Sequence, residues 1–88
     1  MPTVHLIIKG KVQGVFYRAS AKKAAREKHI TGWVKNTDEG DVKVMATGTE
    51  EAINQFIQWC KQGPPRAMVT NVIITKLEDE EFEGFEIL

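Results

Sequence analysis

Hydrophobic and polar positions alternate at the start of the chain and predict a β-strand over residues 4–9. Val4, Leu6 and Ile8 fall on one face of this strand, which would point into a core. Gly10 is expected to end it. The pattern then changes to a helical one over residues 17–28, which are rich in alanine, lysine and arginine.

The first helix carries a stripe of small residues, Ala21, Ala24 and Ala25, aligned with Tyr17. Such a stripe lets a helix lie close on a sheet. Residues 31–47 then predict an antiparallel hairpin, because two alternating runs flank a polar turn with Gly40 where positive φ is expected.

A second helix is predicted from residue 49, with a threonine N-cap followed by two glutamates that suit the positive end of the helix dipole. Its core stripe falls at positions i, i+3, i+4 and i+7, which are Ile53, Phe56, Ile57 and Cys60. Cys60 is therefore interpreted as a buried apolar residue and not as a reactive thiol. A Gly-Pro-Pro sequence ends the helix.

The remaining residues predict a strand over residues 68–77, a solvated acidic turn, and a short closing strand with Phe85 and Ile87 as core contacts. The predicted order is strand, helix, strand, strand, helix, strand, with a short extra strand. This order is typical of an α+β sandwich of the ferredoxin-like class, with a mostly antiparallel sheet and both helices on one face. We expect residues 1–88 to form a single domain.

Composition and charge argue against membrane, secreted and nucleic-acid-binding classes of protein. The 88 residues contain no apolar run long enough to cross a membrane, no secretory signal is expected, and the single cysteine favours a reducing, cytoplasmic setting. The net charge is zero, yet eight of the twelve Lys and Arg residues lie within residues 1–35 beside one acidic residue. This basic third could attract small anions or could simply be a solvated helix face. We expect a monomer without a nucleic-acid or membrane partner.

The segment between the first strand and the first helix, residues 10–18, reads GKVQGVFYR. A glycine turn that leads into a helix aims backbone N–H groups and the positive end of the helix dipole at one point, which favours an anion. Arg18 in the first helical turn is repelled by that dipole unless an anion is bound. The spacing fits neither a Walker loop nor a dinucleotide-binding loop. A tight turn with a solvated arginine remains the structural alternative.

Two motifs, GKVQGVFYR at residues 10–18 and GWVKNTDEGDV at residues 32–42, resemble the acylphosphatase family. Residues 63–67, GPPRA, also resemble that family's segment after the second helix. One departure is Tyr17, where the family more often has phenylalanine or methionine.

This resemblance implies a five-stranded sheet, no metal or cofactor, and hydrolysis of an acyl phosphate to a carboxylate and inorganic phosphate. Arg18 would match the family's phosphate-binding arginine, and Asn36 its water-positioning asparagine. Together with the loop backbone, the implied substrate-binding residues are Gln13, Gly14, Val15, Phe16, Tyr17 and Arg18.

Other interpretations of the same residues remain open at this point. Asn36 could cap the hairpin turn. The anion cradle could sense a phosphate-bearing metabolite without turnover, or the chain could resemble the acylphosphatase-like segment of larger hydrogenase-maturation proteins. A nucleic-acid binder that uses the basic third is a further alternative.

Overall fold

A computed structural model describes residues 1–88, and every predicted helix and strand is present. The chain folds into five strands and two helices that alternate as the sequence pattern predicts. In chain order they are β1 (Thr3–Lys11), α1 (Tyr17–Glu27), β2 (Thr31–Asn36), β3 (Val42–Thr47), α2 (Glu50–Gln62), β4 (Met68–Leu77) and β5 (Phe85–Ile87).

The five strands form one sheet in the order β4-β1-β3-β2-β5. Neighbouring strands are antiparallel except β2 and β5, which run parallel. The hairpin predicted over residues 31–47 is confirmed, with Thr31 opposite Thr47 and Asn36 opposite Val42. This is the predicted ferredoxin-like sandwich with a short extra strand. Neither helix is long and apolar enough to cross a membrane.

The core lies between the sheet and the two helices. Each of the stripes predicted from the sequence is buried there. These residues are Val4, Leu6 and Ile8 on β1, Tyr17, Ala21, Ala24 and Ala25 on α1, and Ile53, Phe56, Ile57 and Cys60 on α2. Burial raises the pKa of the Cys60 thiol to about 12, which suits the predicted role as a packed apolar residue.

Gly10 does not end the first strand as predicted. The strand continues to Lys11, and the pairing of β1 with β4 shifts between Lys9 and Gly10, from Asn71 to Val69. One residue of β4, between Val69 and Asn71, is therefore left without a partner and makes a β-bulge. Gly10 lies opposite this bulge and has a φ of 123°. A Cβ at Gly10 would overlap the carbonyl oxygen of Met68, so the glycine permits a close approach of β4.

The closing strand β5 confirms one predicted core contact and not the other. Phe85 is fully buried and packs edge-on against Phe56, with ring centroids 5.9 Å apart. Ile87 is 39% exposed, so its prediction as a core residue was wrong. Parallel pairing places Ile87 opposite Val34, near the end of β2.

Gly32 is the position where the hairpin most requires a glycine. Its φ is 142°, and a Cβ there would overlap the backbone carbonyl oxygen of Met45 on β3. Gly40, in the turn of the same hairpin, also has positive φ, at 91°, but its added Cβ would meet no atom within 4 Å.

We therefore expect Gly32→Ala to lower the free energy of unfolding by roughly 3 kcal/mol or more, because the strands must separate to admit the methyl group. Gly40→Ala is the matched control, since it adds only the backbone strain, about 1–2 kcal/mol. Urea denaturation of both variants measures the difference. Equal losses would mean that contact with β3 does not constrain residue 32.

Candidate active site

The loop between β1 and α1 leaves a group of backbone donors without partners. The first helical hydrogen bond runs from the Ser20 N–H to the Phe16 carbonyl oxygen, at 3.1 Å. The N–H groups of residues 14–19 have no acceptor within the protein. Phe16, at the N-cap, provides no capping side chain, and the first turn of α1 contains no acidic residue. This helix end is therefore left open to an external anion.

A cavity of about 330 Å³ opens at this helix end. Arg18 reaches it from the first turn of α1, is half-buried, and forms no ion pair or hydrogen bond with another residue. It is the only charged residue among those that line the cavity. The lining residues are Val12, Gly14, Phe16, Tyr17, Arg18, Ala19, Asn36 and Ile87.

Asn36 enters the same cavity from the last position of β2. Its side-chain oxygen Oδ1 is buried and has no hydrogen-bond partner, and no other buried side-chain nitrogen or oxygen in the protein is left unpaired. Leaving a buried acceptor without a donor costs about 1–3 kcal/mol, so the fold keeps this side-chain amide uncommitted to any other residue at a cost in stability. The amide oxygen does not cap the hairpin turn, which was the structural alternative.

The turn of the hairpin is instead held by other groups. The Asp41 N–H donates to Thr37 Oγ1 at 3.1 Å, and the Thr37 N–H donates to the Asp41 carbonyl oxygen at 2.9 Å. Gln13 Nε2 then donates to the carbonyl oxygens of both residues, each at 2.8 Å. Gln13 therefore connects the loop between β1 and α1 to the hairpin that contains Asn36.

The predicted site residues do not all face the cavity. Gly14, Phe16, Tyr17, Arg18 and Asn36 line it. The other two, Gln13 and Val15, do not: the Gln13 side chain is bound to the hairpin, and Val15 is buried in the core. Their side chains are thus unavailable to a ligand, and Val15 can contribute only its backbone N–H.

Sequence reasoning missed three lining residues, Val12, Ala19 and Ile87. The first two lie next to residues already identified in the loop, so proximity alone could have suggested them. Nothing in the local sequence around Ile87 could have done so, because its position depends on parallel pairing between β5 and β2.

The Tyr17 hydroxyl takes no part in the cavity. It donates a 2.8 Å hydrogen bond to the Cys60 carbonyl oxygen in the core. Burial raises the pKa of Tyr17 far above its ordinary value, so the hydroxyl stays protonated. No carboxylate, imidazole or thiol lines the cavity, and no cluster of three or more such side chains elsewhere could hold a metal ion.

Comparison with known proteins identifies the family of this chain. The acylphosphatase family model matches residues 4–87. The chain belongs to the acylphosphatase family. Among its relatives, the acylphosphatase of Haloquadratum walsbyi is 46% identical over 83 residues, which cover 94% of this chain and 89% of the relative. The crystal structure of acylphosphatase from Bacillus subtilis matches with a TM-score of 0.97 and 35% identity over 100% of this chain and 99% of that chain.

The resemblance to a segment of larger proteins also has a structural counterpart. HypF from T. kodakarensis matches 99% of this chain with a TM-score of 0.82 and 30% identity, but only 12% of the HypF chain is covered. The match to acylphosphatases spans nearly their whole length. The family assignment therefore rests on the acylphosphatases themselves.

Replacing Gln13 tests whether its hydrogen bonds to the hairpin hold the loop between β1 and α1 in position. Gln13→Ala removes two hydrogen bonds, so we expect the free energy of unfolding to fall by about 1–2 kcal/mol and inorganic phosphate to bind more weakly. Gln58→Ala, at an exposed position of α2 with no hydrogen bond, is the control. Urea denaturation and titration calorimetry with phosphate measure the two effects. Phosphate binding equal to that of the control would show that the hydrogen bonds of Gln13 to the hairpin do not determine the conformation of the loop.

Proposed function

We propose that this cavity hydrolyses acyl phosphates to a carboxylate and inorganic phosphate. The observation that carries the proposal is that Asn36, whose side chain makes no hydrogen bond within the protein, lines one cavity with Arg18 beside a row of free backbone N–H groups. The cavity offers donors and a positive charge to a phosphoryl group, and the amide of Asn36 to a water molecule. Membership of the acylphosphatase family supports the same reaction.

The phosphoryl group would be bound by the loop and by Arg18. The free N–H groups of residues 14–19 can donate to phosphoryl oxygens, and the helix dipole favours their negative charge. The guanidinium group of Arg18 presents a planar pair of donors that matches two of those oxygens. Since Arg18 has no carboxylate partner in the protein, its charge is available to the ligand.

Asn36 would position the attacking water. Its side-chain amide would form a hydrogen bond with the water and hold the water oxygen in line with the bond that breaks. The water oxygen forms a bond to phosphorus, and the bond from phosphorus to the acyl oxygen breaks with its electron pair on the carboxylate. The proton lost by the water passes to a phosphoryl oxygen, since no side chain that could act as a base lines the cavity. Catalysis then comes from positioning and charge stabilisation.

The proposal includes a monomer that acts in the cytoplasm on a small molecule, without nucleic acid, membrane or cofactor. The single cysteine supports a reducing compartment, because it is buried and cannot form an internal disulfide. The division of charge along the sequence supports a small anionic substrate over nucleic acid. Basic residues predominate in residues 1–35, which suits a small anion, but acidic residues in the rest of the chain leave no overall basic excess for a polyanion.

Arg18→Lys tests the phosphate-binding role. We expect the release of phosphate from benzoyl phosphate, measured with EDTA present, to fall about a hundredfold or more, because lysine keeps the charge but loses the paired donors. Arg26→Lys, which makes the same change at an exposed position of α1, is the control. Circular dichroism checks that both variants fold. Full activity of the Arg18 variant would contradict a role for the guanidinium fork.

Asn36→Ala tests the water-positioning role. We expect kcat to fall about a hundredfold, while the affinity for inorganic phosphate changes little. The free energy of unfolding should stay equal or rise, because the variant removes a buried acceptor that has no partner in the folded protein. Asn71→Ala on the exposed face of β4 is the control. A loss of stability with full activity would instead assign Asn36 to holding the hairpin.

A further inference from the structure

The sheet has a second face, on the side away from the core, that neither helix covers. Its central residues alternate with the buried core positions along each strand and are half-buried or exposed. We call this side the open face. The register of the sheet aligns four of its residues across β4, β1, β3 and β2. This cross-strand row consists, in that order, of Ile73, Ile7, Lys43 and Lys35.

Two positive charges oppose each other at one end of the cross-strand row. Lys35 on β2 is directly opposite Lys43 on β3, and neither lysine forms an ion pair within the protein. Lys9, on the same face, is already paired with Asp41, with Nζ 2.9 Å from Oδ2. Like charges directly opposite each other on adjacent strands destabilise a sheet. A negatively charged partner would replace this repulsion with attraction.

The aromatic residues beside the row argue against nucleic acid as that partner. The ring of Trp33 has the Lys35 Nζ 5.3 Å from its centroid, and His5 packs against it edge-to-face at 6.4 Å. Burial lowers the pKa of His5 below its ordinary value, and the charges of Lys43 and Lys35 lower it further, so His5 is uncharged at neutral pH. Base stacking needs free ring faces and several cations along a backbone, whereas this face offers two free lysines.

We propose that the cross-strand row binds an acidic, amphipathic helix of a partner protein. Two apolar residues of that helix would lie on Ile73 and Ile7, and two acidic residues would pair with Lys43 and Lys35. The surface is separate from the site of hydrolysis. Lys35 and Asn36 are neighbours in β2, and alternation places them on opposite faces of the sheet.

The spacing of the row favours a helix over an extended peptide. Adjacent strands are about 4.8 Å apart, so the row spans about 14 Å across four strands. One helical turn advances about 5.4 Å, so a helix that lies across the strands places one residue over each strand, at every third or fourth position. An extended peptide would repeat its side chains on one face every 6.8 Å or so, which matches the strands less well.

The test titrates the protein with two synthetic helical peptides that carry a fluorescent label, and anisotropy reports binding. In the first peptide, successive turns of one face carry Leu, Leu, Glu and Glu; the second has the same composition in the order Leu, Glu, Leu, Glu. The first should bind about tenfold more tightly, because the second sets a carboxylate on an isoleucine. Binding should weaken as NaCl is raised from about 0.05 to 0.5 M, because salt screens exposed charge pairs.

Lys43→Glu tests the charged half of the row. We expect the first peptide to bind this variant about tenfold more weakly or worse, because attraction becomes repulsion. The urea midpoint should rise, since the new carboxylate lies opposite Lys35, so weaker binding will not reflect misfolding. Phosphate release from benzoyl phosphate should be unchanged. Lys23→Glu makes the same change at an exposed position of α1 and should leave peptide binding at the native level.

Ile73→Thr tests the apolar half of the row. Ile73 and Ile74 are neighbours on β4, are 40% and 43% exposed, and lie on opposite faces of the sheet. Ile73→Thr should weaken binding of the first peptide severalfold, because the helix would lose an apolar contact. Ile74→Thr is the matched control and should bind the peptide as the native protein does.

Three results would overturn the proposal. The first is that the acidic peptides do not bind at low salt, or bind the Lys43→Glu and Ile73→Thr variants as tightly as the controls. The second is that single-stranded oligothymidine binds in a Lys43-dependent way while the peptides do not, which would assign the open face to nucleic acid. The third is a dimer in sedimentation equilibrium that Lys43→Glu dissociates, which would assign it to a second copy. None of these results depends on whether the protein hydrolyses benzoyl phosphate.

Discussion

The site depends on one constraint, the need to satisfy the N–H groups that the start of α1 leaves without acceptors. The N–H groups of residues 14–19 find no partner inside the protein, and a backbone donor without an acceptor is costly wherever water cannot reach it. The loop between β1 and α1 is nevertheless fixed in position on both sides. Tyr17 is anchored in the core through its hydroxyl, and Gln13 is bound to the hairpin. An anion bound there would meet donors that are already in position, which reduces the entropy lost on binding.

Tyr17 shows how core packing and site geometry are connected. The residue begins α1, and its ring packs at 5.4 Å from Trp59 on α2 while its hydroxyl bonds to the Cys60 carbonyl. Arg18 follows directly in the sequence, so the burial of Tyr17 fixes the backbone from which the Arg18 side chain extends. The hydroxyl that looked like a departure from the family pattern is thus a link between the two helices.

Much of the fold follows from periodicity that is visible in the sequence. The stripes on β1, α1 and α2 are buried as predicted because each has the period of its own element, and the hairpin follows from two alternating runs around a turn. Gly10 was misread because a glycine can end a strand or form a bulge. Which of these occurs depends here on β4, about sixty residues further along the chain.

Only part of the candidate site could be predicted from the sequence. The motif around Arg18 and Asn36 identified residues that do share a cavity, since it combines a local turn with a strand end that the topology brings beside it. The side-chain role of Gln13 could not be predicted, because a glutamine in a loop has many partners within reach. Ile87 could not be predicted either, because alternation alone does not reveal which strand a three-residue segment joins.

The shortness of β5 has a consequence for how the cavity behaves when the protein is warmed. Three paired residues hold this strand to β2, and Phe85 is its only buried residue. The loop between β1 and α1 is instead bonded to the hairpin through Gln13 and followed by the buried Tyr17. Segments with few hydrogen bonds open locally at a lower free energy than the whole fold. Fraying of β5 would remove Ile87 from the cavity while Arg18 and Asn36 stay in place. The cavity would then lose one of its lining residues at temperatures where the rest of the fold is intact.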